Sequence, residues 1–313
     1  MIDFHTDTVY QLVMNNSSET LCRNSYAVDA ERMIKGGVKA VCFALFTPEE
    51  NDLGLTRWQM LSRLHDRFVR DVENSNGLLR QASSSKEIEN NISSAVLTVE
   101  DIGPFGGDME RLKLLKEWRV RIASLIWNNE NVYAYPNSRD DAIMSKGLKK
   151  KGHEAVEALA EMDIIIDVSH LNDGGFYDIY EKGVKMIATH SNSRSICNHT
   201  RNISDDMAVK IAERGGIIGL NVCPIFLYPY PADMEMGRCE SRISDMVRHI
   251  MHLYNVAGED VIAIGSDLDG TEGCLELGSV LDYGRLYAPL KAAGLKERQL
   301  EKFYYGNGLR VLE

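Results

Sequence analysis

The sequence predicts an α/β fold, a (β/α)8 TIM barrel forming one domain over residues 1–313. Three observations predict it. Eight short apolar runs alternate with amphipathic stretches, as in a parallel sheet wrapped by helices. Histidines and carboxylates recur at the C-terminal ends of those runs, the face on which barrels build their sites. The first run leads into His5-Thr6-Asp7-Thr8 with no glycine, where a doubly wound sheet would carry a Gly-rich turn; Gly215-Gly216 precedes a strand and does not supply one.

In chain order, the expected strands are these. Residues 2–7 (IDFHTD) begin apolar and end polar. Residues 38–45 and 95–100 are almost wholly apolar up to Leu45 and Glu100. Residues 119–127 close on Trp127, 164–170 on His170 and 186–190 on His190. Residues 216–222 (GIIGLNV) and 261–267 (VIAIGSD) complete the set. Near-continuous apolar runs are what strands buried on both faces require. Helical spacing of apolar residues is read between them at 30–35, 57–72, 108–117, 153–162, 206–214, 241–254 and 295–312.

Composition bounds the function. With 44% hydrophobic and 26% charged residues the chain is an ordinary globular protein, not a disordered, collagenous or disulfide-stapled one. Lys+Arg total 35 against 46 Asp+Glu, a net charge of −11, which argues against nucleic acid or an anionic membrane as partner. No apolar run approaches the ~20 residues of a membrane span. MIDFHTDTVY lacks the basic and apolar regions of a secretion signal, and the other end carries no lipidation motif. The six cysteines show no CxxC spacing, so reduced thiols in a cytoplasmic protein are expected, buried for Cys42 and Cys223 and not metal-ligating.

The chemistry is positional. Residues two apart in a strand share a side, so His5 and Asp7 can reach one ion. Glu100, His170, His190 and Asp267 end four further strands. Three histidines and three carboxylates at one mouth need counter-charge, and a metal cluster supplies it. Nitrogen and oxygen donors without thiolate suit Zn²⁺, Mn²⁺, Co²⁺ or Fe²⁺, and their number suits two ions bridged by one carboxylate.

These residues carry a resemblance. DFHTD at 3–7, VEDIGPFGGDMERLKLL from Val99, IIIDVSH through His170, ATHSNSRSICNHTRNISDD from Ala188, RGGIIGLN from Arg214 and VIAIGSDLDG from Val261 resemble the membrane dipeptidase (renal dipeptidase-like) family of binuclear zinc metallopeptidases, amidohydrolase-type barrels. The resemblance spans nearly the whole chain. It implies two divalent ions, zinc foremost. His5 and Asp7 would hold one, His170 and His190 the other, with Glu100 bridging and a hydroxide between them as nucleophile. It implies Asp267 as the proton shuttle and Arg201 as the grip on a dipeptide's C-terminal carboxylate, a contact guanidinium makes bidentately. The implied substrates are small dipeptides, a D-residue at the C-terminal side being compatible; a homodimer is left open.

One departure stands out. The family's strand-four segment reads Leu-Thr-His-Asn or similar, and its histidine contacts the substrate carbonyl. Here Leu125-Ile126-Trp127-Asn128 puts Trp127 in that place, with one N–H donor and far more bulk. Asn128 or Asn131 could supply a donor instead. Asp269 competes with Asp267. A lactonase- or deaminase-type amidohydrolase is the alternative enzyme, disfavoured because such barrels commonly open with HxH; a weakened barrel with a binding role is the alternative outside catalysis. His65, His153, His249 and His252 read as surface residues and His199 as solvated near the site, while Phe226, Tyr228 and Tyr230 could form a lid stiffened by Pro224, Pro229 and Pro231.

Overall fold

The computed structural model describes residues 1–313. Eight parallel strands form the barrel: β1 (Ile2–Thr6), β2 (Ala40–Phe46), β3 (Ser94–Glu100), β4 (Ile122–Ser124), β5 (Ile165–Asp167), β6 (Met186–Ile187), β7 (Ile218–Leu220) and β8 (Ile262–Ile264). They neighbour one another in the order β6-β5-β4-β3-β2-β1-β8-β7. The single bridge Ala188–Ile218 joins β6 to β7 and closes the ring.

Alternation along the strands sorts the core into two. Ile2, Phe4, Ala40, Cys42, Val96, Ile122, Ile165, Ile187 and Ala263 fill the inside, sealed at the N-terminal end by Val311 and Leu312. Their neighbours Val41, Phe43, Leu45, Ala95 and Leu97 face outward into the larger cluster with the helices. There the helix Arg57–Glu73, started by a Thr56/Gln59 capping box, lays Met60, Leu61, Leu64 and Phe68 on the sheet.

β1 does not keep strict alternation. Ile2 and Phe4 point inside, which would send His5 and Asp7 outward. The pairing with β2 slips between Asp3 and Thr6: Asp3 faces Val41, but Thr6 faces Phe43, three residues against two. This bulge reverses the phase and turns His5 inward. The buried Asp3 carboxylate holds the bulge, accepting from His5 N–H (3.2 Å), Ser266 N–H (2.8 Å), Ser266 Oγ–H (2.6 Å) and the Tyr283 hydroxyl.

Several sequence expectations are corrected. The regular part of the fourth strand shrinks to Ile122–Ser124, since Arg119 turns at φ 58°. The last helix breaks into Glu297–Glu301, a π turn and Asn307–Val311. Of the helices outside the expected set, the two longest are Thr8–Met14 and Asp173–Glu181. The second was hidden by Gly174 and Gly175, yet glycine is required: a Cβ on Gly174 would sit 2.3 Å from Lys146 O.

His249, expected on the surface, is wholly buried within the helix Ile243–Ala257. Its Nδ1 accepts from Ser193 N–H (3.0 Å) and its Nε2–H donates to Leu227 O (3.0 Å), tying two loops of the barrel mouth to the helix. His252 donates to Asp205 (2.7 Å) and His65 stacks on Trp118 at 4.1 Å, so neither is simply solvated. His153 remains partly exposed beside Asp178. No helix is long and apolar enough to cross a membrane.

Candidate active site

The strand ends on one face deliver His5, Asp7, Glu100, His170, His190 and Asp267 to a common centre. Four non-glycine residues at that mouth take left-handed backbone, Asp101 (φ 73°), His170 (φ 66°), Asp267 (φ 64°) and Asp269 (φ 67°). Such conformations cost free energy and persist where surroundings fix them. At His170 the fixing groups are the Asn137 N–H and side-chain amide, both donating to its carbonyl. At Asp101 they are Arg57, Gly103 N–H and Asn131.

Glu100 is the hub. Its Oε1 lies 3.0 Å from His170 Nε2 and 3.4 Å from His190 Nε2, while Oε2 lies 3.4 Å from His5 Nε2. Asp7 Oδ2 is 3.5 Å and Asp267 Oδ1 3.9 Å from the same His5 nitrogen. His5 stacks on His190 with ring centroids 3.7 Å apart. The groups His5/Asp7/Glu100, Glu100/His170/His190 and His5/His190/Asp267 each bring their donor atoms within 4.8 Å of one another, close enough to hold a cation. His5 Nε2 and Asp7 Oδ1 are buried with no hydrogen-bond partner.

Outer contacts fix the imidazoles. Thr189 Oγ–H donates to Asp167 Oδ2 (2.6 Å), so its oxygen accepts from His190 Nδ1–H (2.7 Å). His170 Nδ1–H donates to Asn128 Oδ1 (2.9 Å). With both protons on Nδ1, both Nε2 lone pairs face Glu100 Oε1. Carboxylates behind imidazoles are a common device for aiming metal-binding nitrogens.

Burial dominates the protonation equilibria. It opposes ionisation of Glu100, but His5, His170 and His190 hold that carboxyl well below the usual range. Burial would lower His5, yet Glu100 and Asp7 carry it well above its ordinary value. Burial and then Arg201 push His170 down to about 4, and burial, His5 and Arg201 push His190 lower as well. Burial, reinforced by Asp7 and Glu100, lifts Asp267 to about 7.

Asp267 and Asp269 separate clearly. Asp269 spends both oxygens on structure, accepting from Thr8 Oγ–H (2.5 Å) and Ala27 N–H (2.8 Å). Asp267 Oδ2 accepts from the Asn221 side-chain amide (2.9 Å), and its Oδ1 turns toward His5. Gly270 packs over Asp7 and Asp267; a Cβ there would lie 2.0 Å from Asp7 Oδ2 and 2.7 Å from Asp267 Oδ1.

A cavity of about 220 Å³ opens above the cluster, lined by Glu100, Asp267 and an aromatic wall. In that wall Tyr10 meets Phe46 at 5.2 Å and Phe46 meets Trp127 at 4.6 Å, Trp127 lying 6.1 Å from His170. Asn128, Cys223 and Phe226 also line it. Burial pushes the Cys223 thiol up to about 12. Asn131 is not available as a donor, since its amide donates to Asp101 and Leu125 O. Tyr228 and Tyr230 pack on each other at a tilt, ring centroids 5.0 Å apart, and do not line the cavity, leaving Phe226 as the part of the expected lid that reaches it.

Arg201 lies buried beside the cavity, not on its wall, donating to Ser191 Oγ (2.7 Å) and His190 O (2.8 Å); its Nε has no partner. His199 is half-buried, accepting from Arg201 N–H (3.1 Å) and packing on Phe226 at 4.8 Å. Sequence reasoning passed over Tyr10, Phe46, Asn221 and the Asp167–Thr189 pair. The only signal for the last was a polar residue beside each strand-end histidine, in IIIDVSH and IATH.

A parallel barrel whose C-terminal mouth gathers imidazoles and carboxylates around one glutamate is an arrangement that suits metal-dependent hydrolases. Within that class the chain belongs to the membrane dipeptidase family, peptidase family M19, whose model matches residues 1–313. A Klebsiella pneumoniae protein encoded in the pqqA 5′ region is 33% identical over 82% of this chain and 94% of its own length. The dipeptidase aclJ of Aspergillus oryzae is 28% identical over 70% of this chain, which spans 51% of that protein. Among solved structures, a Rhodobacter sphaeroides metallopeptidase bound to a phosphinate mimic of L-Ala-D-Ala superposes with a TM-score of 0.87 at 22% identity, covering 100% of this chain and 98% of that one. The chain is a metal-dependent hydrolase of the dipeptidase type.

Proposed function

We propose that the chain is a binuclear dipeptidase, in which His5, Asp7 and Glu100 would hold one divalent ion and His170, His190 and Glu100 the other, zinc being the metal the donor set suits first. The observation that carries this reading is the division of Glu100, one oxygen toward His5 and the other toward His170 and His190. When bound, the two ions would supply Lewis acidity and a water or hydroxide, held between them, that is nucleophilic at neutral pH.

The chain's own residues do the rest. Asp267 Oδ1 takes the proton of the attacking water as the C–O bond forms. It returns that proton to the leaving nitrogen as the C–N bond breaks, which regenerates the carboxylate. Asn221 holds the other oxygen and fixes the orientation. Asn128 presents its amide N–H₂, which has no partner in the protein, to the substrate carbonyl beside the bulk of Trp127. Arg201, with its free buried Nε beside the mouth, draws the substrate's C-terminal carboxylate.

Cavity size supports small substrates, since about 220 Å³ is below the ~300–1,000 Å³ usual for drug-sized ligands. The mimic bound by the Rhodobacter sphaeroides protein supports a D-residue at the C-terminal side. The test is hydrolysis of a library of L,L and L,D dipeptides, free and C-terminally amidated, by zinc-loaded protein. Turnover of free small dipeptides is expected, with amidated ones poor and the gap narrowed in Arg201→Ala. Turnover of lactones or aminopurines in place of dipeptides would overturn the reading.

A further inference from the structure

The two inward histidines are aimed by unlike partners. His190 Nδ1–H rests on Thr189, backed by the buried Asp167 carboxylate. His170 Nδ1–H rests on one group alone, the side-chain oxygen of Asn128, and Asn128 is exposed at the cavity lip. No other neighbour holds the proton on Nδ1: Trp127 packs at 6.1 Å, Asn137 holds only the backbone carbonyl, and the Glu100 carboxylate on the far side favours a proton on Nε2. Were that acceptor removed, the Nδ1 proton could move to Nε2, where it would point at Glu100 Oε1 3.0 Å away and close the lone pair to a cation.

We propose that Asn128 is a positioning residue for the metal centre: its Oδ1 holds His170 in the Nδ1–H form and so sets the affinity of the ion on that side. Outer partners of this kind are worth ~10–100-fold in metal affinity. Because its acceptor is a neutral amide at the cavity lip and not a buried carboxylate relay, His170 is the less firmly aimed of the two imidazoles on that ion. The inference rests on the binuclear reading above.

The experiment titrates the full chain with Zn²⁺ alone against a chromophoric chelator, comparing wild type with Asn128→Ala, Asn128→Asp and His170→Ala. Melting of the chelated proteins checks that the exposed Asn128 changes leave the fold intact. Asn128→Ala is expected to weaken one of the two ions, the one His170 would hold, ~10–100-fold. Asn128→Asp, which still accepts from Nδ1–H and adds negative charge, is expected to retain or tighten it. Wild-type affinity in Asn128→Ala, or equal losses in both Asn128 variants, would overturn the proposal while the binuclear reading stands, provided His170→Ala loses an ion. Retention of both ions by His170→Ala would overturn that reading too.

Discussion

His170 Nε2 lies 3.1 Å from His190 Nε2, and neither nitrogen carries the proton that would make this a hydrogen bond. Two lone pairs and a carboxylate oxygen meet in one buried spot. Such an arrangement is unfavourable by itself and becomes favourable around a cation.

Glu100→Gln is expected to lose at least one of two ions. The amide keeps one oxygen and replaces the other by a donor, so it cannot face both nitrogen sets. Elemental analysis of the purified variant checks this; two ions per chain would refute the bridging role of Glu100.

Asp267→Asn should keep both ions and bind dipeptide normally, while kcat falls ~10²–10⁴-fold. The isosteric amide can still meet Asn221 but cannot carry the proton. An unchanged kcat would move the proton transfer to another group, though not to Asp269, whose oxygens are committed to Thr8 and Ala27.

Trp127→His should raise kcat and admit larger N-terminal side chains together. The indole packs on Phe46 at 4.6 Å and narrows the cavity, and the new imidazole adds a donor toward the carbonyl. One oxyanion donor is worth ~10²–10³ in rate elsewhere, which bounds the gain. Steady-state kinetics on Gly-, Ala- and Leu-initiated dipeptides decide; no gain would mean Asn128 already fills the role.

His249 predicts a pH dependence of stability. Burial, aided by Arg248 and His252 and opposed by Leu227 O and Asp245, holds its imidazole down to about 4. Its Nδ1 already accepts from Ser193, so a second proton would break that bond. An unfolded chain's imidazole protonates near 6.5, so stability is full above that pH and is lost as pH falls toward 4, by on the order of 3 kcal/mol. Between pH 6.5 and 4.5 the Tm of wild type should fall more steeply than that of His249→Gln, although the variant starts lower at pH 7.5. Parallel curves would contradict this.

The strand-helix alternation made the barrel legible, and polar residues closing apolar runs placed six side chains that do meet at one mouth. Phase was not legible. His-x-Asp says that two side chains share a side, but Ile2 and Phe4 before them occupy the interior, and only the bulge at Asp3–Thr6 brings His5 round. The bulge depends on Asp3 meeting Ser266 and Tyr283, more than 260 residues away in sequence. His249 was misread for a related reason. Its helix looks polar locally, and the Ser193 and Leu227 loops that cover the ring arrive from elsewhere. The Asp173–Glu181 helix hid behind two glycines, Gly174 needed for a close approach to Lys146 and Gly175 for one to Asn172 and Leu171. The acceptor role of Asn128 requires knowing that strands four and five are neighbours.

The central claim is a pair of ions flanking Glu100. Anomalous diffraction at the zinc edge from crystals of the zinc-loaded protein tests it most directly. Two peaks about 3.5–4 Å apart are predicted, one between Glu100 Oε2 and His5, the other between Glu100 Oε1 and the His170–His190 pair. A single peak, or peaks away from Glu100, would contradict it.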